Sequence, residues 1–172
     1  MDTRTHTPLG EAAEIVSAPS SSPFRTEKFV SFKLGDVSYA VLAAAIAEVT
    51  HPLPLTPLPK RVPGVLGISP LRGEILGVLD IRRMVGIATA TSTDPKSKQI
   101  VLKRTCADAV PMAFTVDRIG EVVQIDLTQV RPAGEGSEYL IGETDIDGRV
   151  VKIIGHSKLS AAAEPNRPAP SI

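Results

Sequence analysis

Apolar and polar residues alternate with a period of two over much of the chain, as in strands that bury one face. Val30, Phe32 and Leu34 alternate with Ser31 and Lys33 after Phe29. Gly35-Asp36 supplies a turn, and Val37, Tyr39 and Val41 then alternate with Ser38 and Ala40. The two segments predict a hairpin. Residues 42–49 read differently. Their alanines favour helix, and Leu42, Ile46 and Val49 recur at helical spacing, which predicts a short helix that runs on toward a strand. Pro52, Pro54, Pro57, Pro59 and Pro63 then exclude helix and central strand, leaving an extended surface connection.

Residues 64–82, GVLGISPLRGEILGVLDIR, hold two strand-length apolar runs around a charged bend. Pro70 fixes one backbone angle and Gly73 permits a positive φ, so the chain reverses near Arg72. One helical turn is predicted over 81–85 and a loop over 86–97. Strands are predicted at 99–104, 111–116, 121–125, 139–143 and 150–154. Asp126 is placed to cap a helical turn, and residues 145–148 carry an Asp-Gly hairpin signal. Nine or ten short strands with turns between them predict an all-β barrel or sandwich.

Composition narrows the function. The 172 residues carry 19 basic and 19 acidic side chains, so neither a nucleic-acid-binding charge excess nor an acidic tail is present. Aromatics are 3% and Trp is absent, which argues against a base-stacking platform. Cys106 is the single cysteine, so there is no disulfide framework and no thiolate metal site. No run reaches the roughly 20 apolar residues of a membrane helix, and the start lacks a signal core. The expectation is a soluble, cytoplasmic protein. Residues 1–27, rich in Ser, Thr, Pro and Ala, and residues 160–172 are expected to be flexible tails.

No catalytic constellation stands out. The three histidines are scattered, and phosphate-loop, dinucleotide and nucleophile-elbow motifs are absent. Glu143, Asp145 and Asp147 cluster in sequence but lack the ligand ladder of a calcium loop. Cys106 beside Arg104 could be an activated thiol or a small hydrophobe. An enzyme or ligand carrier would require a pocket with convergent polar groups, and no set suggests one. A β domain without chemistry points to a binding module using strand faces and edges. Its candidate surfaces are Ile46 and Val49, with core packing as the alternative; Gly67, where a glycine-thinned strand admits another backbone; and Arg72, a fork of donors at a bend that could equally be a solvated turn residue.

Taken together, FVSFKLGDVSYAV, the Glu48-Val49 pair, GVLGISPLRGEILGVLDIRRMVG, FTVDRIGEVVQI, VRPAGE and YLIGETDIDGRVVKII resemble, in order over residues 28–159, the CheW-like adaptor domains of bacterial chemoreceptor arrays. The resemblance implies two intertwined five-stranded SH3-like β-barrels with a few short helices, and no catalysis or cofactor. It implies a bridge between the cytoplasmic tip of a methyl-accepting chemoreceptor and the regulatory domain of a CheA-type histidine kinase, with contacts to other CheW-like domains. Ile46, Glu48, Val49, Gly67 and Arg72 would face the receptor; Arg131 and Glu135 would contact the kinase. The output would be chemotaxis or surface motility. A CheW-like competitor that binds the kinase without coupling it to receptors is the alternative. Pro70 and Gly77 depart from the family pattern, as does Gly136, where a bulky apolar residue would follow Glu135.

Overall fold

The computed structural model describes residues 25–88, 94–134 and 137–162. Strands β1 (Thr26–Leu34) and β2 (Val37–Leu42) form the expected hairpin, with Gly35 at φ 60° in its turn. A 3-10 turn at Ala43–Ala45 precedes β3 (Ile46–Thr50). Then come β4 (Val65–Leu71), β5 (Glu74–Leu79), helix α1 (Ile81–Met84), β6 (Lys98–Leu102), β7 (Met112–Val116) and β8 (Arg118–Asp126). A 3-10 turn at Leu127–Gln129, β9 (Leu140–Ile146), β10 (Arg149–Ile154) and helix α2 (His156–Ala162) complete the described chain.

The strands make two five-stranded sheets, ordered β8-β1-β2-β10-β9 and β3-β6-β7-β5-β4. Each runs antiparallel except for one parallel pair, β2 with β10 and β5 with β7. Each sheet is drawn closed by one bridge between its edges. Thr56, beyond β3, exchanges both backbone hydrogen bonds with Ile68 on β4, at 2.8 and 2.9 Å. Arg131, beyond β8, does the same with Glu143 on β9. The result is the expected pair of intertwined SH3-like barrels. Barrel one takes β1, β2 and β8–β10 from the two flanks of the folded region; barrel two takes β3–β7 from its middle.

The barrels are copies in register. In β4–β5 the pairing slips between Val65 and Gly67; in β9–β10 it slips at the same place, between Leu140 and Gly142. The hairpin turns match too. Arg72 and Gly73 have φ 50° and 82°, and Asp147 and Gly148 have 51° and 75°. Paired left-handed residues suit a tight two-residue hairpin, whose twist matches that of the strands.

Three apolar clusters hold the molecule together. Leu76, Val101 and Ala113 lie in barrel two with Leu53 and Leu71 against them. Phe29, Ala40, Ile125, Val151 and Ile153 lie in barrel one. The main cluster joins the two: Phe32, Leu34, Tyr39 and Val41 meet Leu79, Ile100, Leu102 and Phe114, with Ile81, Met84 and Leu159 from the helices. The Phe32 ring lies 5.9 Å from Tyr39 and 5.7 Å from Phe114, an aromatic contact that spans both barrels.

Several expectations need correction. Residues 42–49 are not a helix: three alanines make one 3-10 turn, and Ile46 begins a strand paired with Leu102. Long-range pairing with β6 outweighs alanine's local preference. Pro70 is not in the turn but in β4, opposite Ile75. Helix α2 was not foreseen. It runs past residue 159 to Ala162, because fully buried Leu159 and partly buried Ala162 pack on the main core. The 86–97 loop needs no correction over its described residues: it ends in a turn, in which Asp94 accepts from the Lys96 and Ser97 backbone amides.

Candidate functional site

Arg72 occupies the first central position of the β4–β5 turn. Its φ of 50° is left-handed, a region that costs an L-residue other than Gly roughly 1–2 kcal/mol. The two-residue hairpin imposes that backbone at both central positions, and the side chain it carries is 78% exposed. One guanidinium nitrogen donates to Glu48 Oε2 at 2.8 Å. Glu48 sits on β3, at the opposite edge of the sheet, so the ion pair crosses the closure of barrel two. The remaining donors of the fork stay on the surface, aimed outward by a rigid turn. Close by, Arg104 pairs with Glu74 at 2.5 Å.

Val49 follows Glu48 on the edge strand and is 43% exposed. Ile46 is partly buried against the inter-barrel core. The two therefore do not share a helical face: Val49 offers apolar surface, whereas Ile46 mainly anchors β3. Gly67 answers to a different backbone from the one expected. A Cβ there would collide with the Thr56 carbonyl oxygen and sit 3.1 Å from Leu55 Cδ1. The close approach is made within the chain, by the proline-rich segment that closes the barrel. That segment is fixed further by Ser69 Oγ, which donates to the Pro54 carbonyl at 2.8 Å, and by Gln99 Oε1, which accepts from the Leu53 amide at 3.2 Å.

Arg131 lies at the matching closure of barrel one. Besides its backbone bridge, its side chain approaches Glu143 at 3.8 Å. Gly142 is the counterpart of Gly67: a Cβ would collide with Val130 and lie 2.6 Å from the Arg131 carbonyl oxygen. Glu135 lies outside the described residues. The structure thus brings Glu48, Val49, Gly67 and Arg72 to one closure and puts Arg131 at the other.

Sequence reasoning missed the joint between the barrels. Asp117 stands in the crossover from β7 to β8 and accepts from the Arg82 guanidinium and, at 2.6 Å, from the Gly35 amide. Burial pushes the Asp117 carboxyl up; hydrogen bonds from Arg82 and Gly35 and the charges of Arg82 and Arg118 outweigh it and hold it below its ordinary value. Burial also raises the Tyr39 phenol, against the opposing charge of Arg82. The signal for the joint was an arginine directly after Ile81, in the segment predicted as one helical turn over 81–85.

No helix among the described residues is long and apolar enough to cross a membrane. None of their His, Cys, Asp and Glu side chains form a group of three placed to hold a metal ion.

Residues 28–164 match the family model of the CheW-like domain. The chain is 30% identical over 136 residues to the chemotaxis protein CheW of Thermotoga maritima, covering 76% of this chain and 85% of that one. It is 28% identical over 108 residues to the chemotaxis protein CheW of Helicobacter pylori, covering 63% of each. Protein FrzA of Myxococcus xanthus is 27% identical over 140 residues, 80% of this chain and 87% of that one. The crystal structure of the scaffolding protein TtCheW from Thermoanaerobacter tengcongensis shares the fold, with a TM-score of 0.65 at 24% identity over 75% of this chain and 88% of that one. With four-fifths of its length matched and its barrels built alike, the chain belongs to the CheW-like domain family.

Proposed function

We propose that this chain is a non-catalytic, cytoplasmic adaptor that couples methyl-accepting chemoreceptors to a CheA-type histidine kinase in chemotaxis or surface-motility signalling. The observation that carries the reading is Arg72: an exposed guanidinium held in a left-handed turn and steadied by Glu48. The two-residue hairpin fixes this backbone, so the exposed guanidinium is presented at a set place for a contact. Glu48, Val49 and Arg72 form the receptor face, with Ile46 anchoring it and Gly67 shaping it. Arg131, on the other barrel, and Glu135 belong to the kinase face. Residues 26–162 form the adaptor body. Two modest, separable interfaces gain strength together in an array.

Calorimetric titration of the full chain with a receptor-tip fragment and, separately, with a kinase regulatory domain tests this. The expected result is binding to both, with Arg72→Ala losing the receptor and Arg131→Ala weakening the kinase. Binding to the kinase alone would mark a competitor, and binding to neither would remove the adaptor reading.

A further inference from the structure

The two barrels differ in side chains at one place where their backbones agree. The β3 pairing slips after Ile46, so that Ile46 faces Leu102 and Val49 faces Ile100. The β8 pairing slips likewise, so that Ile119 faces Phe32 and Val122 faces Val30. Glu121 therefore stands in barrel one where Glu48 stands in barrel two. Asp147, at φ 51°, stands where Arg72 stands, at φ 50°. Barrel two closes this end with the Glu48–Arg72 ion pair, and Val101, opposite Glu48, joins Leu76 and Ala113 in an apolar cluster. Barrel one has two carboxylates there, which cannot pair, and Ser31 opposite Ala40 where barrel two has Val101 opposite Ala113.

A cavity of about 400 Å³ opens at this mouth of barrel one. Phe32, Val123 and Val151 give it an apolar wall, and Glu121, Asp147, Lys33 and Arg149 line it with charge. None of these four side chains enters an ion pair among the described residues. The acids belong to the seam between the edge strands β8 and β9; the bases sit on β1 and β10, the strands on either side of β2.

We propose that this mouth binds a small zwitterion, in which a short aliphatic stem joins a guanidinium or ammonium head to a carboxylate. The head takes, between Glu121 and Asp147, the place that Arg72 fills in barrel two. The stem covers the apolar wall, and the carboxylate meets Lys33 and Arg149. The volume lies at the lower end of cavities that enclose small ligands. Each of the four charges gains a charge-assisted hydrogen bond without giving up an existing one. A plain cation would leave Lys33 and Arg149 opposed to it. The site does not depend on the receptor or kinase reading.

Calorimetric titration of the full chain with γ-guanidinobutyrate tests this, against butylguanidinium, which lacks the carboxylate, and butyrate, which lacks the cation. Guanidinobutyrate is expected to bind, and the other two about tenfold more weakly or worse. Glu121→Gln and Asp147→Asn should each weaken its binding about tenfold. Both should keep the urea midpoint of the wild type, since the side chains are exposed and asparagine tolerates the left-handed turn. Asp147→Arg should lose the ligand while keeping the fold by circular dichroism, because it rebuilds with Glu121 the ion pair of barrel two. N-Acetylarginine carries the same two groups as the end of a peptide: tighter binding of it would identify a peptide C-terminus as the ligand, weaker binding a free small molecule. No binding of guanidinobutyrate at millimolar concentrations, an affinity unchanged in Glu121→Gln and Asp147→Asn, or an equal affinity for butylguanidinium would each overturn the zwitterion site.

Discussion

Arg82 and Asp117 form an ion pair across the line where the two barrels meet, and the Arg82 side chain is only 6% exposed. Arg82 comes from α1 of barrel two, and Asp117 also accepts from the amide of Gly35, in the β1–β2 turn of barrel one. Removing the carboxylate takes an ion-pair oxygen away from a nearly buried guanidinium, a change that costs about 3 kcal/mol. Asp117→Ala should lower the urea midpoint accordingly, and Arg82→Leu should cost less than Asp117→Ala, because the carboxylate it leaves behind is more exposed than the guanidinium and keeps the Gly35 amide as a donor.

The same pair makes stability depend on pH in one direction. Folding lowers the Asp117 carboxyl below its ordinary value of 3.8. Its contribution is therefore complete above the unfolded-state value and is lost as pH falls through the folded one, a decline that begins near about pH 5. Urea unfolding of the wild type and of Asp117→Asn should show a gap that is constant near neutrality and narrows below about pH 4.

Arg72→Asn should separate stability from binding. Asparagine tolerates the left-handed turn better than arginine, and an exposed ion pair such as that with Glu48 contributes at most about 1 kcal/mol. The variant should unfold within about 1 kcal/mol of the wild type yet fail to bind a receptor-tip fragment. A collapse of the fold would return Arg72 to a structural role.

Gly67→Ala and Gly142→Ala should each destabilise by about 1–3 kcal/mol. In both, the added methyl meets the backbone of the closing segment, at Thr56 or at Arg131. Circular dichroism melts of the two variants should fall by similar amounts, since the two closures are counterparts. A neutral Gly142→Ala would break that equivalence.

Much of this architecture was legible because strands write a period of two into the sequence. The β1–β2 and β9–β10 hairpins carried both alternation and turn residues, so type and place followed. What failed was non-local. β3 is an alanine-rich segment made a strand by β6, and α2 is a polar segment made a helix by the burial of Leu159. Arg72 could be picked out at its turn, but its partner Glu48 is far off in sequence. The purpose of Gly67 required knowing that Thr56 returns to it. One signal for these contacts was present. Ile46-Ala-Glu-Val49 and Ile119-Gly-Glu-Val122 repeat each other, as do Gly67…Leu71-Arg72-Gly73 and Gly142…Ile146-Asp147-Gly148. Set side by side, the repeats place each glycine opposite a closing segment.

The interleaving of the barrels bears on how the chain is made. Barrel two is one continuous stretch, so it can close as soon as β7 has left the ribosome. Barrel one cannot: β1 and β2 emerge first and must wait for β8 and β10, their neighbours in the finished sheet. Until then the β1–β2 hairpin has two open edges and an uncovered apolar face. No single cut divides the chain into two complete barrels. A circular permutant that begins at β8 and joins the far end to β1 would turn each barrel into a contiguous unit.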